Sequence, residues 1–251
     1  MKSLLVAIIA AMLISGAARA QTPDACALPA YLLFGDTVLT RVAAEAKERK
    51  TLDILVMGTG SSLLPGPGGA AKSYPGQLEL ALRRRLPALS VNVRSDTKSR
   101  QTAAEMSHNF EKLIRDFHPS LVIWQTGTFD AMRGIDTDDF RSVLDAGVET
   151  LKAGGADVVL MNMQYSPRTE SIIPVEPYAD AMRVAAREHG ALLFDRFGIM
   201  RHWNDSGTFD LNAGSKDPAM AQQVHECLGR ALATQVIDAA RLSPAETKTT
   251  Q

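Results

Sequence analysis

The sequence predicts a three-layer α/β/α domain around a central parallel five-stranded sheet, and three observations carry that prediction. Apolar runs of strand length recur at 52–57, 89–93, 121–125, 158–163 and 191–194. A stretch with helical spacing separates each run from the next, the alternation that gives a parallel sheet with helices on both faces. The 251 residues are 45% apolar, enough for one sizeable core at a length where α/β domains are commonly single.

Each element has local signals of its own. Ser73 is placed to cap a helix with Pro75 in its first turn, and Thr137 to cap a helix beginning Asp138-Asp139-Phe140 that ends at Gly154-Gly155. The last helix is expected to start at Asp217-Pro218 and to run through Val224, Leu228 and Leu232 towards Ile237. Asp followed by Pro is itself a helix-start signal, so capping accounts for Asp217. The glycine-rich stretch 66–73 is similar to a phosphate-binding loop but has Ala71 where the second glycine is needed, and reads as a flexible loop beside the cleft. Residues 243–251, with a Ser-Pro pair and a Thr/Lys/Gln ending, read as a disordered tail.

The first twenty residues have the three parts of a secretory leader: Lys2, an apolar run from Leu4 to Ile14, and the ending Ala18-Arg19-Ala20. The apolar run is too short for a permanent membrane anchor, so residues 1–20 are read as removed and 21–242 as the folded domain, periplasmic or secreted. Lys and Arg number 27 against 28 Asp and Glu. Cleavage moves the net charge only to about −3, far from the basic excess of a nucleic-acid binder. An oxidising compartment makes a disulfide between Cys26 and Cys227 the expected outcome for the two cysteines, with free thiols or a metal pair as alternatives. By chain entropy such a loop stabilises by roughly 5 kcal/mol. No run of His, Cys, Asp and Glu has metal-ligand spacing, and no cofactor is implied.

Three strand ends carry polar or small residues, all on what would be one carboxyl edge of the sheet. They are Gly58-Thr59-Gly60-Ser61-Ser62, Thr97-Lys98-Ser99-Arg100-Gln101-Thr102-Ala103 and Gly127-Thr128-Phe129-Asp130. Their order and spacing, with Ser73-Tyr74-Pro75 after the first and Val122-Ile123-Trp124-Gln125 before the third, resemble the SGNH (GDSL-type) hydrolase family from Cys26 to the last helix. The resemblance implies a flavodoxin-like sheet and an ester hydrolase ancestry. In that family a serine of the first block is the nucleophile, and its amide joins a second-block glycine and a third-block asparagine as oxyanion donors. A histidine three residues after an aspartate, before the last helix, is the base. Such chemistry needs an activated hydroxyl and preplaced donors together.

Mapped by position, the serine falls on Gly60, the glycine near Ser99 or Arg100 and the asparagine on Phe129. The Asp-x-x-His falls near Asp217-Pro218-Ala219-Met220, which has no histidine. A one-residue slip makes Ser61 the candidate nucleophile, with His202 as candidate base and His225 as the other histidine in reach, although a packing role accounts for both histidines. The remaining cleft candidates are Gly58, Gly60, Ser62, Arg100, Phe129, Asp130 and Tyr165. Arg100 offers a rigid fork of donors to a carboxylate, phosphate or sugar, or belongs with Lys98 to a solvated basic loop, and Asp130 reads first as a turn residue or cap. The expectation is an exported protein that binds a carbohydrate or acyl-ester ligand, or a protein partner, at a cleft without the usual catalytic set. The alternative is an active esterase or deacetylase of envelope glycans or lipids that uses Ser61.

Overall fold

The computed structural model describes residues 24–33, 35–212 and 217–243. The predicted leader and all but Ser243 of the predicted tail lie outside the described residues. All five apolar runs are strands: β1 (Thr51–Gly58), β2 (Ser90–Thr97), β3 (Leu121–Gln125), β4 (Asp157–Met161) and β5 (Leu192–Phe194). They pair in the order β2-β1-β3-β4-β5, and every pair is parallel. β3 and β4 are buried at every residue, as strands covered on both faces must be. β2 runs to Thr97, four residues past the predicted end at 93. It is an edge strand, so Arg94, Ser95 and Asp96 keep the ladder to β1 while their side chains stay near water.

The helices in chain order are α1 (Thr40–Glu48), α2 (Gly69–Lys72), α3 (Tyr74–Arg85), α4 (Ala103–Ser107), α5 (Phe110–Phe117), α6 (Thr128–Arg133), α7 (Thr137–Ala153), α8 (Pro167–Ile172), α9 (Glu176–Glu188), α10 (Arg196–Asp205) and α11 (Pro218–Ala239). Two caps differ from expectation. Asp136, not Thr137, caps α7, because its carboxylate accepts the amides of Asp138 and Asp139. Ser73 stands at the start of α3, but its hydroxyl donates to Gly69 O and accepts from Leu64 N instead. The stretch 66–73 is therefore a pinned turn that includes the short helix α2, not an open loop. Asp217 caps α11 as expected, accepting from Ala219 N and Met220 N.

The layers are held by close approaches. α3 and α11 pack together on one face, while α5, α7 and α9 cover the other. Trp124 of β3 meets Phe110 edge-on at 4.8 Å. A Cβ on Gly147 of α7 would come within 2.6 Å of the same indole, so only glycine lets that helix sit there. Asp157, the first residue of β4, accepts the amides of Arg41 and Val42 at 2.8 and 3.0 Å and so caps α1 from 116 positions away. The Cys26–Cys227 disulfide is formed, and Asp24 pairs with Arg230 beside it. Together they fasten the N-terminal segment to α11.

Gly229 is the contact point of α11 with α3: a Cβ there would lie 2.6 Å from Gln77 Cβ and 2.7 Å from Leu78 N. Backbone cannot retreat as a flexible side chain can, so Gly229→Ala is expected to lower stability by about 1–3 kcal/mol. In thermal denaturation this reads as roughly 2–4 °C per kcal/mol at this size. An unchanged melting temperature would show that the two helices do not meet there.

Candidate functional site

β1 and β3 are neighbours, but the chain leaves them for opposite edges of the sheet, and a crevice opens at their carboxyl ends. The turn after β1, Thr59 followed by a 3₁₀ turn over Gly60–Ser62, stands above Gln125, the last residue of β3. Ser62 is fully buried, and its hydroxyl accepts from Thr59 N at 3.2 Å and donates to Gln125 Oε1 at 2.8 Å. Gly58 makes room for it, since a Cβ there would lie 2.1 Å from Ser62 Oγ. With Oε1 turned to Ser62, the Gln125 amide nitrogen faces Ser61 and Thr59. Nε2 then donates to Ser61 Oγ at 2.8 Å and to Thr59 Oγ1 at 3.3 Å.

A second donor reaches the same oxygen. Arg196, the first residue of α10, is only 1% exposed. Its Nη1 donates to Ser61 Oγ at 3.1 Å, and its Nη2 to Ser61 O at 3.1 Å and Gln164 Oε1 at 3.3 Å. The guanidinium lies 5.8 Å from the centre of the Tyr74 ring. Burial lowers its pKa to about 10, so it remains a cation at neutral pH. Burial likewise pushes the Tyr74 phenol up to about 12, against the opposing pull of Arg196. Tyr74 N donates to His225 Nδ1 at 2.9 Å. His225 is held down to about 3, first by burial and then by the Arg196 charge. It is thus neutral, with its proton on Nε2.

The predicted residues distribute over two adjoining cavities. Ser61, Gly60, Arg100 and Phe129 line one of about 200 Å³ together with Thr59, Ser99, Thr128 and Gln164. Tyr165, expected in the same cleft, lines a neighbouring cavity of about 350 Å³ with Gln164, Arg196 and His225. The reason is local. Tyr165 follows β4, two strands from β1, and its ring is buried edge-on against Phe197 at 5.3 Å. Asp130 is buried and accepts from Ala103 N at 2.9 Å, so it caps α4 from across the cleft, and burial raises its pKa. Arg100 takes φ +65°, the left-handed conformation that favours glycine. Phe129 lies under the Arg133 guanidinium at 4.7 Å. His202 is half-buried on α10. Among the described residues Ser61 Oγ has hydrogen-bond partners in Thr59, Gln125 and Arg196, and in no histidine.

Gln125 and Arg196, which organise the site, were not among the sequence candidates. Both are polar residues at the carboxyl end of an apolar strand or just after one, and that position is the signal that finds them. Among the described residues no group of three or more His, Cys, Asp or Glu is arranged to hold a metal ion.

The chain matches the profile of the Non-GDSL lipase-like family over residues 25–242. It belongs to that family. Solved structures similar to this Non-GDSL lipase-like chain include TesA, 20% identical, with a TM-score of 0.56 over 72% of this chain and 97% of that one. Axe2, an acetylxylan esterase from Geobacillus stearothermophilus, is 20% identical, with a TM-score of 0.58 over 73% and 94%. LAE5, an alpha/beta hydrolase enzyme from the metagenome of Lake Arreo, is 17% identical, with a TM-score of 0.56 over 75% and 95%. At these identities the likeness is one of fold, and the fold is that of SGNH-type hydrolases. No curated protein matches the sequence.

In this Non-GDSL lipase-like protein His225 gives the site a pH signature. Below the ordinary histidine pKa of 6.5 the unfolded chain takes up a proton that the native imidazole refuses until about pH 3. Stability tied to His225 is therefore complete above about pH 6.5 and is lost as pH falls towards 3, by about 3 kcal/mol at pH 4. Asp130 and Asp157, whose carboxyls burial raises, change in the opposite sense, so the comparison must be with a variant. His225→Asn keeps an acceptor for Tyr74 N without titrating. Between pH 7 and pH 4 the wild type is expected to lose about 6–12 °C of melting temperature relative to His225→Asn. Parallel pH profiles would show that this imidazole is not buried neutral.

Proposed function

We propose that this chain is an exported, non-classical member of its family that binds a carbohydrate or acyl-bearing ligand in the cleft without Ser–His ester hydrolysis. The observation that carries the reading is the state of the Ser61 hydroxyl. Its oxygen accepts from Gln125 Nε2 and Arg196 Nη1, two donors on one hydroxyl. A nucleophilic serine needs a free lone pair and a neighbouring proton acceptor. Here the lone pairs are engaged, and the neighbour on the Arg196 side is a cation that stabilises neither proton removal to itself nor a histidinium. His225 cannot stand in, because its Nδ1 lone pair is used by Tyr74 N.

The other parts of the reading have separate support. The Cys26–Cys227 bond suits an oxidising compartment, as the leader-like start does. Among the described residues no helix is long and apolar enough to cross a membrane. Acetylxylan esterase activity belongs by name to one structural neighbour, and acyl-glycan chemistry is accordingly the class in which to look for ligands. The esterase reading is favoured by one observation, that Ser61 is half-exposed in the smaller cavity.

Fluorophosphonate labelling followed by intact mass and peptide mapping separates the two. Folded wild-type protein is expected to take up no stoichiometric adduct on Ser61. A full adduct on Ser61 that disappears in Ser61→Ala would overturn the proposal and establish an activated serine.

A further inference from the structure

The larger cavity, of about 350 Å³, lies between the segment after β4, the start of α10 and the first turns of α11. Its wall contains two arginines and no acidic residue. Arg196 is the buried one. All of its hydrogen-bond partners, Ser61 Oγ, Ser61 O and Gln164 Oε1, are neutral, and its Nε has none among the described residues. A buried charge without a counter-charge costs several kcal/mol, so native proteins pair such groups or supply an ion. The contrast is close at hand, since Arg201 on the same helix is paired with Glu170 and Glu176. Arg168, exposed at the rim, makes no salt bridge among the described residues. The rest of the wall is mixed: Met200, Leu211, Met220 and Val224 form an apolar part, and Gln164, Ser166, Thr169 and Asn212 a polar one.

We propose that this cavity binds an organic carboxylate, with the anionic head at Arg196, Arg168 at the rim and a compact apolar body against Met200, Leu211, Met220 and Val224. One negative charge neutralises the one buried cation, and a planar carboxylate suits a guanidinium edge. The four apolar side chains give the ligand a place for a hydrocarbon body that a bare inorganic anion would leave empty. The inference rests on the reading of the cleft as a ligand-binding site and names the chemistry of the ligand.

The test is calorimetric titration of the purified protein with octanoate, 1-octanol and inorganic phosphate. Octanoate is expected to bind saturably, at least tenfold tighter than either octanol, which lacks the charge, or phosphate, which lacks the body. Arg196→Met removes the unpaired buried cation together with its three hydrogen bonds, so its fold is verified by thermal denaturation before titration. It should lose at least tenfold in octanoate affinity while octanol binding is unchanged. If that variant fails to fold, Arg168→Gln at the exposed rim decides, with an expected threefold or greater loss and a weaker dependence on salt. Octanol binding as tightly as octanoate, or octanoate affinity untouched by the arginine variants, overturns the carboxylate site and leaves the cleft-binding reading standing. Phosphate binding more tightly than octanoate overturns it in favour of a bare anion site. Absence of binding by all three probes overturns it outright, and the labelling of Ser61 then judges the cleft on its own.

Discussion

The active edge of the molecule depends on a single carboxamide. Gln125 ends the central strand β3, and its two polar atoms fix both serines of the neighbouring turn: Oε1 accepts from Ser62, Nε2 donates to Ser61. Ser62 Oγ also accepts from Thr59 N, so the one hydroxyl ties the turn after β1 to the end of β3. Gly58 completes the constraint, since any side chain there would occupy the place of the Ser62 hydroxyl. A fully satisfied buried network of this kind rigidifies its surroundings, and a partly satisfied one would cost more than an apolar core. The geometry of the cleft thus follows from hydrogen-bond accounting at the end of one strand.

Arg196 extends that network to the other side of the sheet. It joins the start of α10 to the turn after β1, through Ser61, and to the segment after β4, through Gln164. It also sets the electrostatics. Its charge adds to burial in holding His225 neutral and partly offsets burial at Tyr74. A site organised around a buried cation favours anions and disfavours the imidazolium that forms when a histidine takes a serine proton. The preference for anionic ligands and the proposed lack of Ser–His chemistry thus have one physical origin.

The sequence made the fold legible because a buried parallel sheet leaves a plain record. β1, β3 and β4 are apolar runs bounded by turn residues, and their positions were readable to within a residue or two. The edge strand extends beyond its apolar run because Arg94, Ser95 and Asp96 carry no apolar signal, and their strand conformation comes from the pairing with β1. The Cys26–Cys227 bond was readable from the presence of two cysteines behind a leader-like start. At the site, the turn after β1 and the segments carrying Arg100 and Phe129 line one cavity, and their common position at strand ends is a sequence signal. Gln125 and Arg196 were not recognised, since their importance lies in contacts 64 and 135 positions along the chain from Ser61. No local pattern encodes such a pairing. Tyr165 lines the adjoining cavity for the same reason, its direction being fixed by Phe197 rather than by its neighbours in sequence.

The positions that depart from the SGNH pattern are each built into the structure rather than left as gaps. Arg100 adopts the left-handed backbone that a glycine would take, and its carbonyl accepts from Arg133 at 3.4 Å. The same Arg133 covers Phe129 and pairs with Glu105, whose carboxylate also accepts from Thr102 N at the start of α4. Asp217 is occupied in capping α11. Gly60 leaves its Cβ position 3.0 Å from Ser99 Oγ, a distance that a small rotation of Ser99 would relieve. Space for a serine at residue 60 therefore nearly exists, and Ser99 is the side chain its Cβ would meet. On the proposed reading of the cleft, a hydroxyl restored at residue 60 would share its cavity with Arg100, and ester hydrolysis would still require a base, since a cation cannot take the proton.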